Sequence, residues 1–145
     1  MGWFFGFKLH VVMNHRGELM AVKITPGNID DRAPLEEMVA GLEGKLLADK
    51  GYISKKLFAN LWKQGLQLIT GIRRNMKNYL MPILDKFLLR NRFVVETLFD
   101  KLKSEMGLEH TRHRSPTNAF VHILSCLVAY VLGKTKIRMK DIAYP

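Results

Sequence analysis

Two carboxylates that lie far apart in this chain, Asp49 and Glu96, are the side chains best suited to chemistry. Asp49 follows the apolar run 46–48 and precedes Gly51, a pattern typical of a strand that delivers an acid to its carboxyl end before a turn. Ligand sites in open α/β sheets gather at that edge. Taken alone, the pattern is more commonly explained by an aspartate that accepts hydrogen bonds from turn amides.

Glu96 stands in a segment with helical periodicity, where 3.6 residues per turn place Arg92, Glu96 and Lys103 on roughly one face. The pattern predicts a carboxylate flanked by two cations. An ordinary ion-paired helix surface explains the same spacing, because Arg and Glu four residues apart stabilise a helix by a few tenths of a kcal/mol.

The charge balance indicates a polyanionic partner. The 145 residues include 23 Lys and Arg against 13 Asp and Glu, a formal charge of +10, and such an excess favours nucleic acid through counterion release. A merely basic protein, or one that touches anionic membranes, remains the alternative. Two clusters are candidates for DNA phosphate contacts, with solvated loops as the other interpretation: Arg73, Arg74 and Lys77, and Arg112, His113 and Arg114.

Cysteine usage and hydropathy favour a cytoplasmic protein. Cys126 is the only cysteine, which excludes a disulfide framework and a cysteine-rich zinc site within this chain. The longest apolar stretch, residues 119–133, is shorter than the ~18–20 residues of a bilayer-spanning helix, so it predicts a buried helix and no membrane partner. The aromatic start has no basic region or small-residue cleavage site typical of a signal peptide.

The element pattern predicts a mixed α/β fold, with one domain over residues 1–133 and a basic tail over 134–145. Asp30 or Asp31 is expected to cap a helix that runs to Leu42, and Ser54 to cap the next one. The predicted strands are residues 3–13 and 18–24, which form a hairpin, then 45–48 and 67–70; two long helices are predicted over 84–106 and 116–132.

Four stretches, taken together and in order, resemble the DDE transposases of bacterial insertion sequences, whose catalytic domain has an RNase H-like fold. They are residues 6–10 (GFKLH), 25–32 (TPGNIDDR) and 48–52 (ADKGY), and the Arg92, Glu96, Lys103 helix followed by residues 109–115 (EHTRHRS). The resemblance implies that Asp49 is the second catalytic aspartate and Glu96 the catalytic glutamate. Both would be ligands of Mg²⁺ or Mn²⁺, and Lys50, Arg92 and Lys103 would contact DNA.

This chain departs from the family pattern at two places. Leu89 stands where a tyrosine often precedes the arginine, and no aspartate occurs before Asp30, although the family's first catalytic aspartate lies on a strand upstream of residues 6–10. Asp30 and Asp31 are better explained as helix caps than as its replacement. The resemblance therefore implies an RNase H-like sheet that lacks its first, central strand.

Three hypotheses follow. The chain is the C-terminal part of a transposase that cuts and joins DNA by metal-dependent phosphoryl transfer and is inactive by itself. Alternatively, it is a non-catalytic DNA-binding product that interferes with the full-length transposase, or an unexpressed gene remnant. The expected partners are transposon-end and target DNA, with a second copy or an upstream transposase fragment as further candidates.

Overall fold

The computed structural model describes residues 6–72, 74–75, 80–108, 114–137 and 139. The chain divides into two compact units: Met1–Val12 with Met20–Arg92, and Met13–Leu19 with Phe93–Pro145. The architecture is mixed α/β, as the sequence predicts. Asp49 lies in the first unit, directly after a strand. Glu96 lies in the second unit, within a helix.

The first two strands, β1 (Phe7–Met13) and β2 (Leu19–Pro26), pair with each other in a two-stranded sheet. Their short connection is the hairpin expected from the sequence. The Asn14 side chain organises this turn, because its Oδ1 accepts hydrogen bonds from the backbone N–H groups of Arg16 and Glu18, both at 3.0 Å. Local polar side chains of this kind replace ladder hydrogen bonds in turns.

The other two strands, β3 (Gly44–Ala48) and β4 (Leu66–Thr70), form a parallel pair in which Ala48 lies opposite Thr70. A parallel pair needs a crossover connection, and α2 (Lys55–Lys63) supplies it. The Ser54 hydroxyl caps α2 by accepting a hydrogen bond from the Leu57 N–H at 3.3 Å, which confirms the predicted cap. The register brings the carboxyl ends of β3 and β4 to one edge.

One apolar cluster holds the first unit together. The apolar face of α2 packs onto β4 and onto residues around the short helix α1 (Leu35–Met38). Complete burial of each such side chain stabilises the folded state by about 1.5–3 kcal/mol. The buried members are Val12, Leu35, Val39, Leu57, Leu61, Leu66 and Leu68.

Three sequence-based expectations about helices are wrong in detail. The helix predicted over residues 84–106 is two helices, α3 (Ile83–Arg90) and α4 (Phe93–Met106). Asn91 ends α3, and its side-chain amide donates to the Phe87 carbonyl at 3.2 Å, which gives the chain a local alternative to continuing the helix. The helix predicted to reach Leu42 stops at Met38 as α1.

The third expectation concerned Asp30 and Asp31 as caps of that helix. The residue preceding α1 is Pro34, and no side chain caps it. Asp30 instead accepts hydrogen bonds from the backbone and guanidinium of Arg32, and Asp31 forms an ion pair with Lys8 at 2.9 Å. Both aspartates therefore stabilise the loop after β2 through nearby cations.

The second unit is built on α4 and α5 (Pro116–Leu132), the latter with the predicted bounds. Their facing sides bury Val94, Leu98 and Leu102 of α4, and Cys126, Leu127 and Tyr130 of α5. Among the helices that the structure describes, none has both the length and the apolar content required to cross a bilayer.

Candidate functional site

Asp49 directly follows β3, at the edge where the carboxyl ends of both parallel strands lie. Its Oδ1 atom accepts two hydrogen bonds, one from the Lys50 N–H at 2.7 Å and one from the Arg92 guanidinium at 2.6 Å. The sequence anticipated the strand and the aspartate at its end. It gave no sign of the partner, because Arg92 is 43 residues away along the chain.

These two donors orient the carboxylate and lower its pKa. The Arg92 guanidinium, followed by the Lys50 N–H, holds the pKa of Asp49 below its usual range. Both donors bind Oδ1, and no described residue donates to Oδ2. Because the side chain is 63% exposed, Oδ2 is an ionised hard oxygen that is open to a ligand.

Lys50 lies across the same sheet edge. Its Cε atom is 2.9 Å from the position that a Cβ would occupy on Gly71, the residue that follows β4. The absence of a side chain at Gly71 therefore gives the lysine stem room to extend from β3 over β4. This arrangement brings a cationic residue and the Asp49 carboxylate to adjoining positions on one exposed edge.

Glu96 lies in the first turn of α4 and is exposed. Lys103 is two turns further along the same helix and is half-buried. Arg92 precedes α4, and its guanidinium contacts Asp49. Asp49 and Arg92 belong to the first unit and Glu96 to the second, so the convergence of the two carboxylates stays a prediction.

The predicted DNA contacts fall partly within the described residues. Arg74 and Arg114 are exposed, as a phosphate contact requires. Lys50 is also exposed, at the edge described above. The remaining residues of the two basic clusters, Arg73, Lys77, Arg112 and His113, lie outside the described residues.

The described carboxylates do not form a ready-made metal site by themselves. In the described ranges, no group of three or more His, Cys, Asp or Glu side chains has the geometry of a metal site. Asp30 and Asp31 are each paired with a cation. Oδ2 of Asp49 and the exposed Glu96 carboxylate are oxygen donors of the type that Mg²⁺ and Mn²⁺ prefer.

Sequence reasoning missed a buried charge next to a groove in the first unit. The Asp85 side chain is 4% exposed and forms an ion pair with Lys45 Nζ at 2.5 Å. Asp85 also lines a groove of about 410 Å³ beside β4 and the start of α2, together with Phe58, Ile69 and Met81. The signal that could have revealed it is an acid among the apolar positions of α3.

Comparison with known proteins identifies the family of this chain. Residues 1–116 match the transposase DDE domain family. A curated relative from Brucella ovis, named as a transposase for the insertion sequence element IS6501, is 27% identical over 125 residues, which are 83% of this chain and 95% of that protein. No solved structure shows significant similarity to the chain. The family match covers the strand that ends at Asp49 and the helix that carries Glu96, and the chain therefore belongs to the DDE transposases of insertion sequence elements.

Proposed function

We propose that this chain forms the C-terminal part of the catalytic domain of a transposase that cleaves and joins DNA by divalent-metal-dependent phosphoryl transfer. The observation that carries the proposal is the Asp49 carboxylate, which is ionised, anchored through Oδ1 and open at Oδ2 at the carboxyl edge of a parallel strand pair. Family membership supports the assignment of Glu96 as the second carboxylate of this chain.

The proposed roles follow from the chemistry of each side chain. Oδ2 of Asp49 and the carboxylate of Glu96 would hold Mg²⁺ or Mn²⁺, and the chemistry that such an ion would supply is activation of the attacking oxygen and stabilisation of the leaving oxygen of the DNA phosphodiester. Arg92 lowers the pKa of Asp49 and fixes its orientation through the 2.6 Å hydrogen bond. This positioning matters because misplacement of a catalytic group by about 1 Å can cost ~10²-fold in rate.

Cationic side chains would bind the DNA backbone around this centre. Lys50, Arg74 and Arg114 are exposed and belong to a chain with a formal charge of +10. Contacts between such residues and phosphates fix the position of the DNA without reading its sequence. We assign the same role to Lys103 and to the predicted contacts outside the described residues, and we expect the protein to act on DNA in the cytoplasm.

The third carboxylate and the centre of the sheet are proposed to come from residues upstream of this chain. The first aspartate of the chain is Asp30, which is held by Arg32, and the next, Asp31, is held by Lys8. The described strands form two separate pairs, β1–β2 and β3–β4. An RNase H-like sheet without its central strand would consist of two such pairs, which supports the proposal, and we expect this chain alone to be inactive.

Strand cleavage of labelled transposon-end DNA in Mg²⁺ or Mn²⁺ tests the proposal. We expect cleavage when this chain is joined to the upstream segment that carries the first aspartate, and none with this chain alone. Asp49→Ala or Glu96→Ala should abolish it. Asp100→Asn, which alters an exposed carboxylate one turn beyond Glu96, is the matched control and should retain activity.

Two outcomes of that assay would contradict the proposal. One is cleavage that survives Asp49→Ala. The other is DNA binding by the joined protein without any cleavage in either metal, which would instead support the non-catalytic DNA-binding product.

A further inference from the structure

The ion pair between Lys45 and Asp85 joins the start of α3 to the start of β3, within the first unit. The Asp85 carboxylate lies in the first turn of α3 and accepts a hydrogen bond from Lys45 Nζ at 2.5 Å. The Asp85 side chain is 4% exposed and the Lys45 side chain 38% exposed, so the contact is largely shielded from water on the helix side. The pair fixes one point of α3 to one point of β3.

The Asp49–Arg92 ion pair joins the same two segments at their other ends. Lys45 and Asp49 are four residues apart, which is about 13 Å along an extended strand. Asp85 and Arg92 are seven residues apart, which is about 10 Å along a helical path. The strand segment supplies a cation and then an anion, and the helical segment supplies an anion and then a cation. The two ion pairs therefore connect the segments in the same order along the chain.

Lys45 and Asp49 belong to the same face of the β3 segment. Side chains alternate between the two faces of a strand, and Leu46 and Ala48 pack against the apolar cluster that includes the buried side of α2. Lys45 therefore projects from the opposite face, where α3 contacts both β3 and β4. The catalytic candidate Asp49 follows two positions after Leu47 on that face, so α3 can contact both charged residues.

Arg92 lies between α3 and α4, and its backbone is tied to the last turn of α3. Its N–H donates to the Leu89 carbonyl at 3.4 Å, and the N–H of the preceding Asn91 donates to the Leu88 carbonyl at 3.0 Å. A shift of α3 along its axis by one residue would move Arg92 by about 1.5 Å, and a shift by one turn would move it by about 5.4 Å. Because the hydrogen bond from Arg92 to Oδ1 of Asp49 is 2.6 Å long, even the smaller shift would break it in its present geometry.

A buried ion pair sets the axial position of a helix more narrowly than apolar packing does. Apolar contacts are non-directional, whereas a buried carboxylate is costly unless its partner stays within hydrogen-bonding distance. We propose that Lys45 and Asp85 are positioning residues, which set the axial position of α3 and thereby place Arg92 on Oδ1 of Asp49 with Oδ2 left open. The consequence for catalysis rests on the proposed function, in which Oδ2 is a metal ligand.

Side-chain NMR of the Arg92 guanidinium in the ¹⁵N-labelled full chain tests this inference. A guanidinium held by a carboxylate rotates slowly about its Cζ–Nη bonds and gives separate Nη signals, whereas a free guanidinium gives a single averaged signal. The Arg92 signals are assigned by their absence in Arg92→Gln. We expect separate signals in the parent chain and an averaged signal in Asp85→Ala, which removes the partner of Lys45 and keeps a residue of high helix propensity in α3.

Three further variants separate positioning from a general loss of structure. Asp85→Asn is the conservative variant, and it should keep the separate signals because its amide oxygen still accepts from Lys45. Glu37→Ala is the matched control, since it removes a carboxylate from another ion pair of the first unit, with Lys23, and it should also keep them. Asp85→Leu fills the space beside the apolar groove, so the unit stays folded if alanine unfolds it, and it should give the averaged signal.

The amide signal of the fully buried Leu61 reports whether the first unit of each variant is folded. Separate Arg92 signals in a folded Asp85→Ala or Asp85→Leu chain would overturn the inference. An averaged signal in the parent chain, or in Glu37→Ala as well as in Asp85→Ala, would overturn it too. DNA cleavage plays no part in this measurement. A chain that shows the expected Arg92 signals but never cleaves DNA when joined to its upstream segment would support the positioning role and contradict the proposed function alone.

Discussion

The ion pair between Asp49 and Arg92 yields a quantitative prediction from a double-mutant cycle. The four proteins are the parent chain, Asp49→Asn, Arg92→Gln and the double variant. Asparagine keeps an oxygen that accepts from the Lys50 N–H, so the cycle isolates the charge contact with Arg92. The Asp49 and Arg92 side chains are 63% and 40% exposed, and solvent therefore screens the pair.

The expected coupling follows from that exposure. A well-formed, largely exposed pair contributes about 0.5–1 kcal/mol to the free energy of unfolding. Breaking a buried pair lowers that free energy by much more, about 3–5 kcal/mol. With a urea slope of about 2 kcal/mol/M, Arg92→Gln should lower the unfolding midpoint by about 0.25–0.5 M at pH 7. The same change in an Asp49→Asn background should have a smaller effect.

The pH dependence of the coupling energy gives a further check that the contact involves the ionised Asp49 carboxylate. The folded-state pKa of Asp49 is lowered, so the coupling is fully present above the unfolded pKa of about 3.9 and is lost as the pH falls through the folded value. Arg74→Gln, which removes another cation from the first unit, should show no coupling to Asp49→Asn. A coupling under ~0.2 kcal/mol at pH 7, or one that does not decrease in acid, would refute the assignment of the charge contact.

Two further predictions concern stability. Gly17→Ala should destabilise the fold by more than about 1 kcal/mol in urea unfolding, because Gly17 has φ +81° and a Cβ there would lie 1.9 Å from the Ile137 carbonyl oxygen. The matched control Gly41→Ala, at φ +80° with open space around it, should cost less, and equal losses would contradict the contact. Burial lowers the pKa of His10, whose ring nitrogen is 2.7 Å from the Thr25 hydroxyl, so stability should fall as the pH drops from about 6.5 through the folded value. His10→Gln keeps a polar partner for the hydroxyl and should remove that part of the pH dependence, and a variant with the full parent dependence would exclude His10 as its source.

Several elements of both units were predictable because their signals are local. The β3–α2–β4 order, the Ser54 cap and the hairpin turn at Asn14 each follow from a few neighbouring residues. Alternating apolar runs and turn residues specify such elements directly. The same is true of α5, which begins at Pro116, a residue favoured in the first turn of a helix, and ends before Gly133.

The contacts of the candidate site were less predictable because they join distant residues or depend on small local differences. The Asp49–Arg92 pair spans 43 residues, and helical periodicity instead suggested a role for Arg92 beside Glu96. The interruption between α3 and α4 depends on one asparagine amide that competes for a backbone carbonyl. Asp30 was interpreted as a helix cap because sequence cannot show that Arg32 folds back onto it.

We propose that Asp49 and Glu96 share a divalent ion. It is tested most directly by titrating the ¹⁵N-labelled chain with paramagnetic Mn²⁺ and following the amide signals of Lys50 and Thr97, the neighbours of the two carboxylates. We expect both signals to broaden with one common midpoint, and Asp49→Asn to weaken the broadening at both. Broadening of Lys50 while Thr97 stays sharp, or a Thr97 response that is unaffected by Asp49→Asn, would contradict it.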